Sequence, residues 1–355
     1  MKPFVSIVVV NHNGGPLLLR LILSALSSTY RDLEIVIVDN GSTDDSVFSV
    51  QRQFHEDPRL KVLRLESNEP LTKAFNLGIS ASSGEILGLV HNDVTLTKTW
   101  LAECLNVLLR DPQIGAVQGK IYSLNDSLLD SCGCDVDCHG CEHDRGQGEP
   151  DYGQYDAETT IFSASGVASI FRKDALIDAG MFDEHYGSGL DDLDLCWRLK
   201  LLGYFITYAP KGIAYHGRST TWKSSQKLQL TVMLEFAKTR LYVPFKNFQA
   251  RSLLKNLPIL LLHNAGGFLL NIRHPRGSMV YVKAMAWFLR DLGALNVERG
   301  LVQHRIRRVS DREIFSQASK YCNLVKYTIT LRLPINSQGA RVRLDSPLSD
   351  SEVQV

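Results

Sequence analysis

The sequence is poor in the features that assign a chain to a special class. Its 39 Lys and Arg nearly balance 38 Asp and Glu, for a net charge of +1, so the molecule as a whole has no field to draw it to a polyanion. Seven cysteines in 355 residues fall short of a disulfide framework. The opening residues, MKPFVSIVVVNHN, have too short an apolar run for a secretory leader and no small-residue cleavage site. The expectation is therefore residence in a reducing cytoplasm. No apolar run continues uninterrupted far enough to span a bilayer, and there is no internal repeat. The G-x-G-x-x-G turn of dinucleotide-binding domains is also missing. After the first apolar run the chain reads NHNGGPLLLR, with the wrong spacing and with Pro16 removing a donor. A hydrophobic content of 44% and a charged content of 22% leave an ordinary globular protein, either one large domain with an appendage or two domains.

What is present is an alternation. VSIVVV (5–10) reads as a buried parallel strand ending at Asn11, followed by a helical pattern with Leu18, Leu21, Ile22 and Ala25 on one face. LEIVIVDNGSTDDS (33–46) repeats the design: a strand, then Asp39, Asn40, Gly41 and Ser42, then a helix start with Ser42 or Thr43 as N-cap. KVLRLESN (61–68) is a third strand ending at Asn68, and GEILGLVHND (84–93) a fourth ending at His91, Asn92 and Asp93. Such alternation predicts an α/β domain with a mostly parallel, Rossmann-like sheet flanked by helices. Ligands bind such sheets beyond the carboxyl ends of the strands. One polar strand end is a turn; Asn11, Asp39, Asn68 and Asp93 on one rim point to a polar site.

A second stretch, 165–220, completes the pattern. LDDLDLCWRLKLLGY opens with acids and becomes an amphipathic helix with Leu195, Leu199 and Leu202 on one face and Gly203 at C′. Asp194 and Arg198 are four apart, spaced to pair on the helix surface. Asp191 and Asp192 lie at or before the first turn, where the helix dipole favours anions, so one of these acids is expected only to cap. YFITYAP returns as a strand, and IAYHGRST leads to His216.

In order and spacing, VSIVVVNHNG, IVIVDNGSTDDS, GEILGLVHND, GLDDLDLCWRLKLLGY and YHG resemble the inverting glycosyltransferases of family 2, which have the GT-A fold. SGVASIFRKDALIDAGMFDE resembles the rhamnosyltransferase-like branch that builds cell-surface polysaccharide. The resemblance implies a nucleotide-diphospho-sugar donor, dTDP-rhamnose or a UDP-hexose, and a glycan or polyprenyl-diphosphate-linked acceptor. It implies Asn11, Asp39, Asn40, Ser42, Asn68 and Asn92 around the nucleotide, and Asp93 with His216 on a divalent cation, Mg²⁺ or Mn²⁺. Asp192 becomes the general base, with Asp191 beside it in place of the usual Glu. The metal motif departs from the family by beginning with His91, read as a spectator rather than a ligand. Pro70 stands where a Gly is common. A non-catalytic sugar-nucleotide-binding scaffold and a nucleotidyltransferase are the competing classes.

DSCGCDVDCHGCEHDRG (130–146) gathers Cys132, Cys134, Cys138 and Cys141 with His139 and His143. These residue types can hold Zn²⁺, but the spacing lacks the hairpin of a zinc ribbon, so a variable loop of reduced cysteines is the favoured reading over a structural zinc. From Lys238 to Arg308 there are 13 Lys and Arg but only two acids, Asp291 and Glu298. Apolar stretches 253–272 and 279–295, the latter with Trp287 and Phe288, lie between them. Lys255, Pro258, His263 and Asn264 interrupt the first, so it should lie in an anionic membrane surface rather than cross it. No nucleic-acid motif accompanies the charge. The expected division is a catalytic domain over 1–225, a helical membrane-associating region over 226–310, and a tail over 311–355. That tail holds an edge strand at 325–333 and ends in disorder. The expected location is the cytoplasmic face of the cell membrane.

Overall fold

A computed structural model describes residues 2–124, 128–137, 142–186, 191–217 and 226–317. The proposed strand at 325–333 and the tail beyond 317 lie outside the described residues. The strands are β1 (Val5–Asn11), β2 (Leu33–Asn40), β3 (Leu60–Leu65), β4 (Ile86–His91), β5 (Val94–Leu96), β6 (Ile114–Ser123), β7 (Leu129–Ser131), β8 (Cys134–Val136), β9 (Glu142–Asp144), β10 (Thr159–Ile161), β11 (Ala168–Arg172) and β12 (Phe205–His216). The main sheet runs β10-β12-β6-β11-β4-β1-β2-β3. β3, β2, β1 and β4 form a parallel ladder, as the alternation predicts. β11 is antiparallel to both β4 and β6, so the sheet is mixed at its middle.

The β1 and β2 strands are buried at every position, which is why they read as continuous β-branched runs. One core, beneath helices Pro16–Leu26 and Trp100–Leu108, holds Val5, Ile7, Leu18, Leu21, Ile22 and Trp100. The opposite face holds Val8, Phe75, Leu89 and Phe171 with Leu195 and Leu199 of helix Asp191–Leu201. Gly203 follows that helix at φ +99°, a left-handed conformation that glycine adopts without steric cost.

A third core joins the C-terminal helices to the α/β domain. Leu193, Trp197 and Leu201 pack with Tyr242, Phe248, Phe288, Leu295, Val302 and Ile314. The helices are Gln226–Asn247, Ala250–Leu270 and Pro275–Leu301. Lys255, Pro258, His263 and Asn264 do not break Ala250–Leu270, which stays helical throughout. By length and composition alone it could cross a membrane, and 17% of its apolar window is buried.

The pair Asp194–Arg198 corrects the surface expectation. Arg198 Nη2 lies 2.9 Å from Asp194 Oδ2, with both side chains buried. Lys246 Nζ bridges Asp194 and Asp183 at 2.7 Å each, and Asn247 Nδ2 donates to Asp194 Oδ1 at 2.7 Å. The tight Leu-rich helix left no exposed face at that position, because the C-terminal helices cover it.

Candidate active site

Register brings the polar strand ends together. Asn11 is level with Asp39 across β1 and β2, and Val10 with His91 across β1 and β4. Asn11 is fully buried. Its Nδ2 donates to Ser42 Oγ and Ser46 Oγ at 3.1 and 2.9 Å, and its Oδ1 accepts from Asn92 Nδ2 at 2.9 Å. Asn11 thus fastens the loops after β2 and β4 to the end of β1. Gly14 must be bare: a Cβ there would lie 2.3 Å from Asn11 Oδ1 and 2.7 Å from Asn92 Nδ2. Asp39 Oδ1 accepts from Ser42 N at 3.1 Å. Asn40 Nδ2 donates to Asn68 Oδ1 at 2.9 Å, which ties the ends of β2 and β3. Ser42 and Thr43 do not cap the next helix. It begins at Ser46, and Asp44 Oδ1 takes the Ser46 amide at 3.1 Å, because Ser42 is already held by Asn11 and by the Asn13 amide at 3.1 Å.

Beside this rim, His91, Asp93 and His216 each place one ligand atom within 4.8 Å of the other two. His216 ends β12 and reaches Asp93, the last residue of the β4 turn, with Nε2 3.3 Å from Asp93 Oδ1. Its Nδ1 lies 2.8 Å from Asp130 Oδ2. Burial alone would lower the His216 pKa, but its bonds to Asp130 and Asp93 outweigh that and push it up to about 9. His91 goes the other way: burial, aided by the neighbouring His216, pushes it down to about 4, so it is a neutral imidazole. A carboxylate and two imidazoles suit a divalent cation, so Asp93 and His216 fit the ligand role expected of them. The structure also brings in His91, which sequence reading set aside.

Asp192 lies in the first turn of helix Asp191–Leu201. Its Oδ2 accepts from Gly166 N at 3.0 Å and its Oδ1 from Leu193 N at 2.8 Å. The next residue, Val167, accepts from His91 N at 2.9 Å, which links the acid to the β4 terminus. Burial raises the Asp192 pKa against those two amides, and Asp144 adds to the rise. Glu142 is raised well above the usual carboxylate range by burial and by the charges of Asp192 and Asp144. Asp191 is buried at the helix start. A carboxylate with a raised pKa is a better proton acceptor than an ordinary one.

Asp130 was missed. It stands next to the cysteine-rich loop, and nothing in LLDSCG marks it as the partner of a histidine 86 residues later. Cys138, Cys141 and His139 lie outside the described residues. Cys132 and Cys134 are buried free thiols, and burial pushes both pKa values up, which disfavours the thiolates that zinc requires. Cys134 Sγ instead donates to Asp144 Oδ1 at 3.1 Å. Among the described residues the one group of metal-ligating side chains is His91, Asp93 and His216.

Residues 6–178 match the sequence model of glycosyl transferase family 2. The chain is 32% identical over 127 residues to glycosyltransferase GlyG of Streptococcus pneumoniae, covering 36% of this chain and 42% of that protein. It is 28% identical over 225 residues to the pre-mycofactocin glycosyltransferase of Mycobacterium tuberculosis, covering 61% and 43%. The chain thus spans less than half the length of these relatives. Its fold is that of the GT-A glycosyltransferases. The mannosyltransferase PcManGT of Pyrobaculum calidifontis, solved with GDP-Man and Mn²⁺, superposes with a TM-score of 0.53 at 16% identity, covering 93% of this chain and 86% of that one. S. aureus TarS superposes at 0.54 and 18% identity, covering 88% and 54%.

Proposed function

We propose that the chain is a metal-dependent inverting glycosyltransferase of the rhamnosyltransferase-like branch. It takes dTDP-rhamnose or a UDP-hexose as donor and a glycan or polyprenyl-diphosphate-linked glycan as acceptor, at the cytoplasmic face of the membrane. The observation that supports the reading is a set of contacts at the strand ends: Ser42 on Asp39, His216 on Asp93, and Asp192 on Gly166, whose neighbour Val167 takes the His91 amide. That solved proteins of the same fold hold GDP-Man with Mn²⁺, or UDP with Mn²⁺, supports the donor class.

In this reading Asp39, Asn40, Ser42, Asn68 and Asn92 shape the nucleotide end of the cleft. Asp93 and His216 hold a divalent cation that, when bound, supplies charge stabilisation for the departing nucleoside diphosphate. Asp192 takes the proton of the acceptor hydroxyl as that oxygen attacks the anomeric carbon. A single displacement leaves the carbon inverted and needs no protein nucleophile. A positioned base contributes about 10²–10⁴-fold, and alignment of the two substrates supplies much of the rest. Asp191, buried beside it, helps set the charge at the helix start.

The exposed stripe Leu254, Pro258, Leu261, Leu262, Ala265 and Leu269 on helix Ala250–Leu270, with exposed Arg251, Lys255, Arg273 and Arg276 around its ends, supports contact with an anionic lipid surface. The deciding experiment titrates dTDP-rhamnose, UDP-glucose and UDP-galactose with Mn²⁺ or with chelator and reads nucleoside diphosphate release with acceptor. Metal-dependent binding of one donor is the expected result. Pyrophosphate release from a nucleoside triphosphate would replace the reading with a nucleotidyltransferase, and binding without any transfer would replace it with a scaffold.

A further inference from the structure

His91 has no structural task that explains its place. Its imidazole makes no hydrogen bond to any described residue, and its ring stacks on Phe75 with centroids 6.3 Å apart. It lies edge-on to His216 at 6.1 Å between centroids, and its ligand nitrogen falls within 4.8 Å of those of Asp93 and His216. A histidine wanted only for packing on Phe75 would be served by any flat apolar ring.

We propose that His91 is a third protein ligand, and that the resulting set of two imidazoles and one carboxylate selects a first-row transition dication over Mg²⁺. Mg²⁺ takes oxygen ligands and gives up its waters reluctantly. Imidazole nitrogen suits the transition ions, and a two-histidine, one-carboxylate set is a recurrent binding unit for them. The His216 ring is set for this role by Asp130. Nδ1 faces the Asp130 carboxylate at 2.8 Å, which leaves Nε2 directed at Asp93 and available to the ion. A carboxylate behind a ligating histidine fixes its tautomer and raises its basicity. Asp130, buried on β7, is therefore a positioning residue. The inference rests on the proposed metal-dependent transfer, and it names which metal that site takes and why.

The test uses the full chain, stripped of metal by chelator and then titrated with Mn²⁺. Free aquo-Mn²⁺ is read by electron paramagnetic resonance, and Mg²⁺ serves as competitor. The wild type should bind one Mn²⁺ that a hundredfold excess of Mg²⁺ fails to displace, and pulsed spectra should show two coupled imidazole nitrogens. His91→Ala should weaken Mn²⁺ about 10- to 100-fold and leave one coupled nitrogen. His91→Asp should retain metal but narrow the Mn²⁺ preference at least tenfold. Asp130→Asn should weaken Mn²⁺ about 10- to 100-fold while both nitrogens stay coupled. An unchanged Kd and an unchanged two-nitrogen spectrum in His91→Ala would overturn the proposal. If that variant does not fold, the wild-type nitrogen count decides alone: one imidazole overturns it and two support it. Asp93→Ala separates the two levels. Loss of Mn²⁺ there, with His91→Ala neutral, overturns the third ligand only, whereas no loss in Asp93→Ala removes the metal centre from this edge. Intact Mn²⁺ binding without sugar transfer from any donor would refute the proposed function and leave the ligand set standing.

Discussion

At the scale of single residues, two carboxylates with oppositely shifted pKa values, Asp192 raised and Asp151 lowered, each carry a distinct prediction. Asp192→Asn keeps one of the bonds to the Gly166 and Leu193 amides, since only the amide oxygen accepts, and loses the proton acceptor. Donor affinity should hold within about twofold while kcat falls at least 10²-fold; a variant turning over at near wild-type rate would move the base elsewhere. A second residue reports on pH. Lys120, buried on β6, lies 2.8 Å from Asp151 Oδ2, and its hydrogen bond, followed by that of Tyr122, pulls Asp151 down to about 2. Because the native pKa lies below the ordinary carboxylate value of about 3.9, this stabilisation is complete above about pH 4 and is lost as pH falls through about 2. Asp151→Asn should therefore cost about 1–2 kcal/mol at pH 7, reduced by the partial exposure of the group, and almost nothing at pH 2. Urea melts at both values check it, and an equal gap at both would refute it. These residues also show what a sequence can reveal. Asp93, Asp192 and His216 could be singled out from the sequence because each lies at the end or start of a strongly patterned element and matches a motif position. The contacts that His91 and Asp130 make with His216 were not legible, because they depend on which side chains face each other across strands far apart in the chain.

At the scale of elements, the parallel strands and their intervening helices were readable from unbroken β-branched runs and apolar periodicity. The antiparallel direction of β11 was not, since a buried strand carries the same apolar run whichever way it pairs inside a mixed sheet. Nor did the 3.6-residue pattern of helix Asp191–Leu201 reveal that its charged side is buried. Asp194 looked like half of a surface pair, yet it anchors a hub in which Lys246 from helix Gln226–Asn247 meets Asp194 and Asp183. Burial would raise the Asp183 carboxyl, but the Lys246 charge and hydrogen bond prevail and hold it well below the usual carboxylate range. Removing one partner of a buried ionic cluster leaves uncompensated charge and costs about 3–5 kcal/mol. Lys246→Met should therefore destabilise the fold by about 3 kcal/mol, the low end, because Arg198 and Asn247 still meet Asp194. The same helix begins with Asp191 and Asp192, so the variant should also lower kcat at temperatures where it remains folded. Chemical denaturation and turnover measured together test this, and a loss under 0.5 kcal/mol would show that the hub is not holding the helix.

At the scale of the whole molecule, the C-terminal basic charge divides into two populations that the sequence could not separate. Lys238 is buried and paired with Glu235 at 2.6 Å, Lys246 is in the hub, and Arg307 lies 2.9 Å from Asp311; these belong to the packing of the helices on the α/β domain. Arg251, Lys255, Arg273, Arg276, Lys283 and Arg290 are exposed, and they frame the apolar stripe in which Leu254 is 72%, Leu262 68% and Leu269 62% exposed. A second copy of this helix is a poor partner for that stripe, because helix Ala250–Leu270 carries no acid and two such surfaces would repel. An anionic lipid surface matches both the charge and the apolar face, with each basic residue near the surface worth about 1 kcal/mol. Leu254→Glu with Leu262→Glu changes neither the third core nor the hub, so the fold should survive. In flotation with phosphatidylserine-containing vesicles the wild type should float, while the double variant and the wild type at 0.5 M salt should stay largely at the bottom. Retention through alkaline carbonate would instead mean that the helix spans the bilayer, as its length allows, and equal flotation of the double variant would remove this face from membrane contact.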